Sequence, residues 1–211
     1  MKFNRNFALE TEKYPEIYQR YLEKEDSLVK SLIRREFSVL DVGCGTGRTI
    51  PLVARRIRKY TGIDIDESGL EKSKSVASNY PNSTVSFLDA TKLDKKYPKN
   101  SFDLCLCLWN TIGCVNDPVE TLKQMGIVTK GECFFTVMAK GTIEKRKEYY
   151  EKLKIDYTIN TKSETFYSPI WGESRAYSED ELKTLCSKSG LEISSISKIE
   201  NLAYAIVARR R

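Results

Sequence analysis

The sequence predicts an α/β protein built around a mostly parallel, doubly wound sheet. Short apolar or β-branched segments alternate with amphipathic segments over residues 38–139, and this alternation requires right-handed crossovers between parallel strands. Asp117 and Ser178 each stand three residues before a glutamate, which is a signal for the start of a helix. The length of 211 residues suits a single domain over 1–211 that carries one insertion.

The first predicted strand, Ser38–Val42, is followed by a glycine turn. Gly43, Gly45 and Gly47 occupy alternate positions, and a helix is expected from Thr49. Glycine lets the backbone turn sharply and lets a ligand approach closely. The exposed N–H groups and the helix start favour polar or anionic ligand groups. The stretch therefore predicts a cradle of the kind that binds nucleotides.

The remaining elements follow in alternation. Further strands are predicted at 60–66, 84–90, 102–108, 132–139, 191–199 and 202–208, the last two forming an antiparallel pair. Further helices are expected at 68–79 (with Ser68 as cap and Glu71 as its partner), from Asp117 to Gly131, at 144–154, and from Ser178 to Gly190. Residues 1–37 are predicted to be helical. Residues 141–177 interrupt the alternation and are interpreted as a lid insertion that contains a hairpin near 155–167.

Composition excludes several kinds of chemistry. The chain has no histidine, which removes Ser-His and Cys-His nucleophile systems and weakens any zinc proposal, so no metal is expected. Its 6 cysteines contain no C-x-x-C pair and are interpreted as reduced thiols. A net charge of +6 leaves a nucleic-acid partner possible but not favoured. No apolar run suggests a leader or membrane span, so a cytoplasmic location is expected.

Three successive strands end in aspartate: Asp41, Asp64 and Asp89. In a doubly wound sheet these strand ends meet at the edge where ligands bind. The three carboxylates suit an ammonium, the ribose hydroxyls and an adenine amino group, respectively, which together describe S-adenosylmethionine. Arg48 stands where a dinucleotide fingerprint requires a third small residue and where a P-loop requires glycine, so those nucleotides fit less well. Arg48 itself is expected to pack or pair on the helix surface.

With these motifs the chain resembles the class I S-adenosylmethionine-dependent methyltransferases. The resemblance rests on Val39–Arg48, Gly62–Ile65, Phe87–Ala90, Phe102–Leu104 and the closing strand pair. It implies a Rossmann-like methyltransferase fold with seven strands in the order 3-2-1-4-5-7-6 and an antiparallel last strand. It also implies an enzyme that binds S-adenosylmethionine and releases S-adenosylhomocysteine. The cofactor-binding residues implied by the resemblance are Asp41, Gly43, Cys44, Gly45, Asp64, Ile65, Asp89, Ala90, Leu108 and Asn110.

The methyl acceptor is less defined by the sequence. Leu108–Gly113 lacks the motif of adenine or glutamine amino methyltransferases and resembles small-molecule members of the family. We therefore expect a small-molecule acceptor, with a nucleic-acid methyltransferase or a cofactor-binding protein without transferase activity as alternatives. Candidate substrate residues are Tyr14, Tyr18, Trp109, Asn110, Tyr167 and Trp171. No catalytic base is identified; Asp66 is expected at a helix start and Asp103 at the opposite edge of the sheet.

Overall fold

A computed structural model describes residues 11–211, and its centre is a seven-stranded sheet. Its strands are β1 (Ser38–Val42), β2 (Lys59–Asp64), β3 (Ser83–Phe87), β4 (Phe102–Cys107), β5 (Thr129–Met138), β9 (Leu191–Ile199) and β10 (Ala203–Arg210). Their spatial order is β3-β2-β1-β4-β5-β10-β9. Counted within this sheet, the order is 3-2-1-4-5-7-6. The fold class and strand order predicted from the sequence are confirmed.

The hydrogen-bonding pattern gives the sheet two distinct edges. β1 pairs in parallel with β2 and β4, and β4 pairs in parallel with β5. β10 runs antiparallel to both β5 and β9. The carboxyl ends of the parallel strands therefore gather at one edge, here called the carboxyl edge. Their amino ends gather at the opposite edge, here called the amino edge, where the end of β10 also lies.

Helices cover both faces of the sheet. They are α1 (Glu16–Leu32), α2 (Ile50–Val53), α3 (Glu67–Ala77), α4 (Thr111–Cys114), α5 (Pro118–Val128), α6 (Ile143–Lys152) and α7 (Glu179–Lys188). Buried side chains of α1, α2 and α6 form one core with one face of the sheet, whereas those of α5 and α7 form the other. Two cores, one on each face, are what buried parallel strands require. No helix among the described residues is long and apolar enough to cross a membrane.

Two local predictions were wrong. Helix α3 is capped by Asp66, whose Oδ2 accepts from the Gly69 N–H at 3.2 Å, and not by Ser68. Gly131 does not end a helix but lies inside β5. A Cβ at Gly131 would lie 2.2 Å from the Asp103 carbonyl oxygen, so glycine is required there for close strand approach. The capping sites at Asp117 and Ser178 are as predicted.

The insertion between β5 and α7 contains helix α6 and a second, three-stranded antiparallel sheet. Its strands are β6 (Thr158–Asn160), β7 (Thr165–Ser168) and β8 (Gly172–Arg175). The predicted hairpin corresponds to β6 and β7, whereas β8 was not predicted. Polar residues and glycine dominate β8, so it lacks the apolar alternation that marks a strand in the sequence. Of the N-terminal segment, residues 1–10 lie outside the described residues, and α1 accounts for most of the rest.

Candidate ligand site at the carboxyl edge

The glycine turn after β1 forms the floor of the site. Gly43 and Gly45 adopt φ values of +75° and +52°, a conformation that favours glycine. The Gly43 and Cys44 N–H groups donate to the Ile63 carbonyl at 2.9 and 3.0 Å, which fastens the turn to the end of β2. A Cβ at Gly45 would meet no atom within 4 Å. The backbone at Gly45 therefore faces open space in which a ligand can approach it.

Asp64, at the end of β2, orders the neighbouring backbone. Its Oδ2 accepts from the Gly45 N–H at 2.7 Å, and its Oδ1 accepts from the N–H groups of Ile65 (2.7 Å) and Asp66 (2.9 Å). The carboxylate is half-buried, and a carboxylate can accept further hydrogen bonds on its free lone pairs. Asp64 thus links the glycine turn to the second strand and keeps acceptor capacity toward solvent.

Asp41 is buried at the end of β1, with 1% of its surface exposed. The Tyr60 hydroxyl donates to its Oδ2 at 2.6 Å. Burial raises the pKa of Asp41 from 3.8 to about 6, against the opposing effects of the Tyr60 hydrogen bond and the Arg48 charge. Asp41 is therefore an ionised but poorly solvated carboxylate at neutral pH, which is a strong attractor for a cation.

A cavity of about 100 Å³ lies above the glycine turn. Its wall combines backbone of the turn, the Asp41 carboxylate, and side chains from α1 and from the loop after β4. The lining residues are Tyr14, Leu22, Asp41, Gly43, Cys44, Gly45, Thr46, Arg48, Thr49, Leu108 and Trp109. The cavity therefore brings together five of the residues predicted for cofactor binding (Asp41, Gly43, Cys44, Gly45 and Leu108) and two predicted for the substrate (Tyr14 and Trp109).

A buried ionic network below the cavity was missed by the sequence analysis. The fully buried Glu25 of α1 pairs with Arg48 at 2.5 Å, and Arg48 also pairs with Asp26 at 2.6 Å. Oε1 of Glu25 further accepts from the hydroxyls of Tyr21 (2.6 Å) and Thr136 (2.5 Å) and from the backbone of the β4 loop. Arg48 forms ion pairs, but it does so inside this buried network and in the cavity wall, not on a helix surface as predicted. Glu25 gave no signal because acidic residues on helices are ordinarily exposed.

The loop after β4 contains two consecutive residues in the left-handed conformation, Trp109 (φ +55°) and Asn110 (φ +61°). The Trp109 N–H donates to Glu25 at 3.1 Å and to Thr136 at 2.9 Å, which holds this strained turn. As a result, the indole of Trp109 forms part of the cavity wall, beside Leu108. The network around Glu25 therefore positions both the glycine turn, through Arg48, and the opposite wall.

Asn110 does not fit the ligand role expected for it. Its Oδ1 accepts from the Met138 N–H at 2.8 Å, and its Nδ2 donates to Ser174 at 2.9 Å and to the Arg175 carbonyl at 3.3 Å. The residue is 3% exposed and is absent from the cavity lining within the described part of the chain. Its amide instead links the insertion to β5, so the side chain of Asn110 is not available to the ligand.

Aromatic rings of α1 and the turn before it, of the β4 loop and of the insertion pack together beside the cavity, and we call them the aromatic wall. Its members are Tyr14, Tyr18, Tyr21, Trp109, Tyr149 and Trp171, with neighbouring ring centroids 4.4 to 6.1 Å apart. Burial raises the pKa of Tyr18 and of Tyr149 far above 10. These two phenols remain protonated at physiological pH and cannot act as bases.

The adenine end of the predicted site is open. Ile65 is 64% exposed, although most large apolar side chains in the described residues are buried. Asp89 follows β3, and its carboxylate accepts from the N–H (2.9 Å) and hydroxyl (2.8 Å) of Thr91, which lower its pKa. Ala90 begins the 3₁₀ helix Ala90–Lys95. An apolar surface and an ionised acceptor thus flank the sheet edge beside Asp64.

Tyr167 is separate from this site. It is 38% exposed on β7 and lines a different, open cavity of about 380 Å³ within the insertion, together with Asp156, Tyr157 and Glu173. By contrast, Trp171 stacks on Tyr149 at 5.7 Å and so joins the aromatic wall. The larger of these two cavities is therefore not the one at the strand-end carboxylates.

A family of proteins described as "Methyltransferase domain" matches residues 33–189, which is most of the chain. The chain belongs to the class I S-adenosylmethionine-dependent methyltransferases. In structure it is similar to the PH0226 protein of Pyrococcus horikoshii, with a TM-score of 0.74 over 99% of this chain and 100% of that chain at 20% identity. This likeness shows the shared fold.

Two curated relatives match shorter stretches of this methyltransferase chain. Phosphoethanolamine N-methyltransferase 3 of Arabidopsis thaliana is 30% identical over 101 residues, which cover 46% of this chain and 21% of that protein. A ubiquinone biosynthesis O-methyltransferase of Saccharophagus degradans is 32% identical over 107 residues, covering 49% of this chain and 44% of that protein. The match thus spans about a fifth of the first relative and less than half of the second.

The observed site fits the cofactor of this family. The open space at Gly45 can receive a ligand against the backbone, and the ionised, buried Asp41 is suited to an α-ammonium group. Asp64 offers acceptor lone pairs to ribose hydroxyls, and Ile65 offers an exposed apolar surface to a base. Within residues 11–211, no three His, Cys, Asp or Glu side chains come together in a way that could hold a metal ion.

Proposed function

We propose that this protein transfers the methyl group of S-adenosylmethionine to a small-molecule acceptor. The single observation that carries the proposal is the cavity above the glycine turn. The Asp41 carboxylate and the glycine backbone form one side of this cavity, and the aromatic residues Tyr14 and Trp109 form the other. A polar cradle for the donor thus faces an apolar wall for the acceptor.

Cofactor binding is assigned to the carboxyl edge. Asp41 and the Gly43–Gly45 backbone would hold the methionine part, and Asp64 would accept from the ribose hydroxyls. Ile65, Asp89 and the Ala90 N–H would bind the adenine. The turn is already fastened by the Asp64–Gly45 hydrogen bond of 2.7 Å, so little backbone ordering remains to oppose binding.

When bound, S-adenosylmethionine would supply its sulfonium methyl group to an in-line displacement, in which the methyl–sulfur bond breaks as the bond to the acceptor forms and S-adenosylhomocysteine leaves. No nucleophile on the protein is needed for this step, because the acceptor atom attacks directly. The protein contributes alignment and exclusion of water. Leu108 and Trp109 contribute apolar surface at the end of β4, and the protonated phenols of Tyr18 and Tyr149 take no part as bases. An acceptor that is already nucleophilic suits such a site.

The acceptor is proposed to be small. The aromatic wall closes the cavity from the side of α1 and α6, where Tyr149 contacts Tyr14 at 5.2 Å and Trp109 at 6.1 Å between ring centroids. Two relatives that are 30% and 32% identical over about half of this chain have names that refer to small molecules, phosphoethanolamine and ubiquinone. The nucleic-acid alternative predicts a cluster of basic residues around the cavity, whereas Arg48 is the one Lys or Arg in the lining within the described residues, and it is paired with Glu25 and Asp26.

The proposal is tested with S-adenosylmethionine carrying a labelled methyl group. The purified protein is incubated with fractionated cell extract, with and without nuclease, and label is sought in the small-molecule fraction. We expect label there irrespective of nuclease. Label that disappears after nuclease treatment would favour the nucleic-acid alternative. Cofactor binding by calorimetry without any label transfer would favour a binding protein.

A matched pair of variants controls this assay. Asp64→Ala removes a carboxylate from the carboxyl edge, whereas Asp103→Ala removes one from the amino edge, where Asp103 accepts from the Ser38 N–H at 2.7 Å. Only the first substitution should reduce label transfer at limiting cofactor. Equal loss in both variants would indicate general destabilisation and would count against the assigned site.

A further inference from the structure

The basic residues of this chain are distributed unevenly between the two edges of the sheet. Of its 13 arginines, 8 lie in the turns and strand ends of the amino edge, whereas only 3 of its 22 lysines lie there. The cations at this edge are Arg34, Arg35, Arg55, Arg56, Arg58, Lys59, Lys99, Lys130, Arg209, Arg210 and Arg211. We call these eleven residues the arginine edge.

The fold explains how distant parts of the sequence meet there. Arg34 and Arg35 precede β1, Arg55 and Arg56 precede β2, and Arg209–Arg211 end β10, which runs antiparallel to β5. The Arg58 and Lys59 N–H groups both donate to the Phe37 carbonyl, at 2.9 and 3.2 Å, which joins the first two turns. The cations thus follow one another across β2, β1, β4, β5 and β10. At ~4.8 Å between strands this row is about 20 Å long.

The arginine edge is poorly neutralised. The carboxylates of the same turns and strand ends are those of Glu36, Asp103, Glu132 and Glu192. The edge therefore carries a side-chain charge of +7, while the whole chain carries +6. The ion pairs at this edge are Arg58–Asp103, Lys130–Asp103 and Arg209–Glu192. Eight cations, among them the exposed Arg35, Arg56 and Arg211, form no ion pair within residues 11–211.

We propose that the arginine edge binds the phosphodiester backbone of a nucleic acid. Arginine presents a planar fork of donors that matches phosphate, and its enrichment over lysine favours this ligand over a general polyanion. An anionic membrane is less suited, because the large apolar residues that are exposed within residues 11–211, Ile65, Phe87 and Tyr167, all lie away from this edge and cannot insert beside the charges. Backbone contacts of this kind fix position and do not read sequence.

This surface is separate from the cofactor cavity. The five residues of β1 lie between the arginine edge and the glycine turn, a distance of about 17 Å at 3.3 Å per residue. A nucleic acid bound along the amino edge does not therefore place its bases at the cavity. Nucleic acid bound at the arginine edge would determine where the protein is located, not which acceptor it methylates. This binding is therefore independent of the proposed acceptor.

The test compares two variants that each lose four positive charges, so that the net charge falls from +6 to +2 in both. The edge variant combines Arg35→Gln, Arg56→Gln, Lys59→Gln and Arg211→Gln. The control variant changes Lys74, Lys123, Lys154 and Lys162, exposed lysines on other faces, to glutamine. Binding of fluorescein-labelled 20-nucleotide single-stranded RNA and of a 20-base-pair DNA duplex is followed by anisotropy at several salt concentrations.

We expect the edge variant to bind at least tenfold more weakly than the wild type to one or both probes, and the control variant to bind within twofold. The slope of log Kd against log salt for the RNA should fall by about 2–3 in the edge variant. Equal weakening in both variants, or no binding by the wild type, would overturn the proposal. So would co-sedimentation with vesicles of phosphatidylserine and phosphatidylcholine that depends on the edge residues in the absence of nucleic-acid binding.

Calorimetry with S-adenosylmethionine separates this proposal from the proposed function. Both variants should retain the cofactor affinity of the wild type, since all eight positions lie outside the cavity. Loss of cofactor affinity in the edge variant would mean that its fold is altered, and thermal unfolding would detect this. In that case the paired substitution Arg35→Gln with Arg211→Gln, at two exposed positions, replaces it, and unchanged nucleic-acid affinity in this pair then overturns the proposal.

Discussion

The two edges of the central sheet present opposite charges. The carboxyl edge carries Asp41, Asp64 and Asp89 at consecutive strand ends, whereas the amino edge carries eight arginines. Both edges are formed by turns between the same strands. They differ because the turns at the carboxyl edge fold back to bind their own backbone, as Asp64 does with three N–H groups. At the amino edge, by contrast, the turns before β1 and β2 expose the side chains of Arg34, Arg35, Arg55, Arg56 and Arg58.

This difference shows how one sheet can serve two kinds of ligand. A site for a small cationic ligand requires few, partly desolvated carboxylates, since burial strengthens each interaction. Asp41, with a pKa raised to about 6, is an example. A surface for a polyanion requires many exposed cations, since each contributes weakly and is screened by salt.

The largest effect is expected at Glu25, which supports the carboxyl edge from α1. Glu25→Ala should lower the free energy of unfolding by about 3–5 kcal/mol, because it leaves Arg48 without its buried partner and removes the acceptor for Tyr21 and Thr136. Urea denaturation measures the change. Glu36→Ala, at an exposed carboxylate of the amino edge, should stay within about 0.5 kcal/mol. A similarly small effect at Glu25 would contradict the role of the network.

The next effect concerns cofactor affinity at Asp64. Asp64→Ala should weaken S-adenosylmethionine binding by about 1–3 kcal/mol, because the ribose loses its acceptor and the Gly45 N–H loses its anchor. Calorimetry measures the change, and Asp103→Ala at the amino edge serves as the control with unchanged affinity. If Asp64→Ala binds the cofactor as tightly as the wild type, the assignment of Asp64 is wrong.

A pH dependence follows from the raised pKa of Asp41. Only its carboxylate form attracts an ammonium, so the cofactor affinity should be constant above about pH 7 and fall as the pH decreases through about 6. In the folded state the pKa lies above the ordinary 3.8, so ionisation of Asp41 costs stability as the pH rises between these values. Asp41→Asn should therefore unfold at a higher urea concentration than the wild type at pH 8, while binding the cofactor less tightly.

Unfolding stability and cofactor affinity together test the role of Asp41 specifically. A variant that is less stable at pH 8 would show that the Tyr60–Asp41 hydrogen bond of 2.6 Å outweighs the burial of the charge. An affinity independent of pH between 5 and 8 in the wild type would exclude Asp41 from the ammonium site. Glu192→Gln, at an exposed carboxylate of the amino edge, should change neither quantity.

The smallest effect is expected in the aromatic wall. Trp171→Leu removes a ring that stacks on Tyr149 at 5.7 Å, a contact of about 0.5–1.5 kcal/mol. With an acceptor identified by the labelling assay, kcat/KM should fall severalfold while cofactor affinity stays constant. Tyr167→Leu, on the other cavity of the insertion, is the matched control and should leave both unchanged. Equal losses in cofactor and acceptor binding would reject an acceptor role for the wall.

The sequence identified those parts of the site that consist of local backbone. The glycine turn and the three strand-end aspartates could be predicted because strand polarity alone brings strand ends to one edge. Glu25 could not be predicted, since its partners Arg48 and Thr136 are 23 and 111 residues away. The contacts of the Asn110 amide could not be predicted for the same reason: its partners are Met138 of β5 and Ser174 of the insertion, 28 and 64 residues away.

Apolar periodicity, capping residues and glycine spacing act over a few residues, so the sequence could predict the strands of the sheet and its acidic carboxyl edge, while the strand order followed from the family resemblance. Only the tertiary structure decided which side chains close the cavity and where the net charge lies. The aromatic wall joins α1 to an insertion more than 100 residues later. The arginine edge joins turns that precede β1 and β2 to the end of β10. Such groupings depend on long-range packing. Composition gives the number of aromatic and charged residues but not where they lie in the fold.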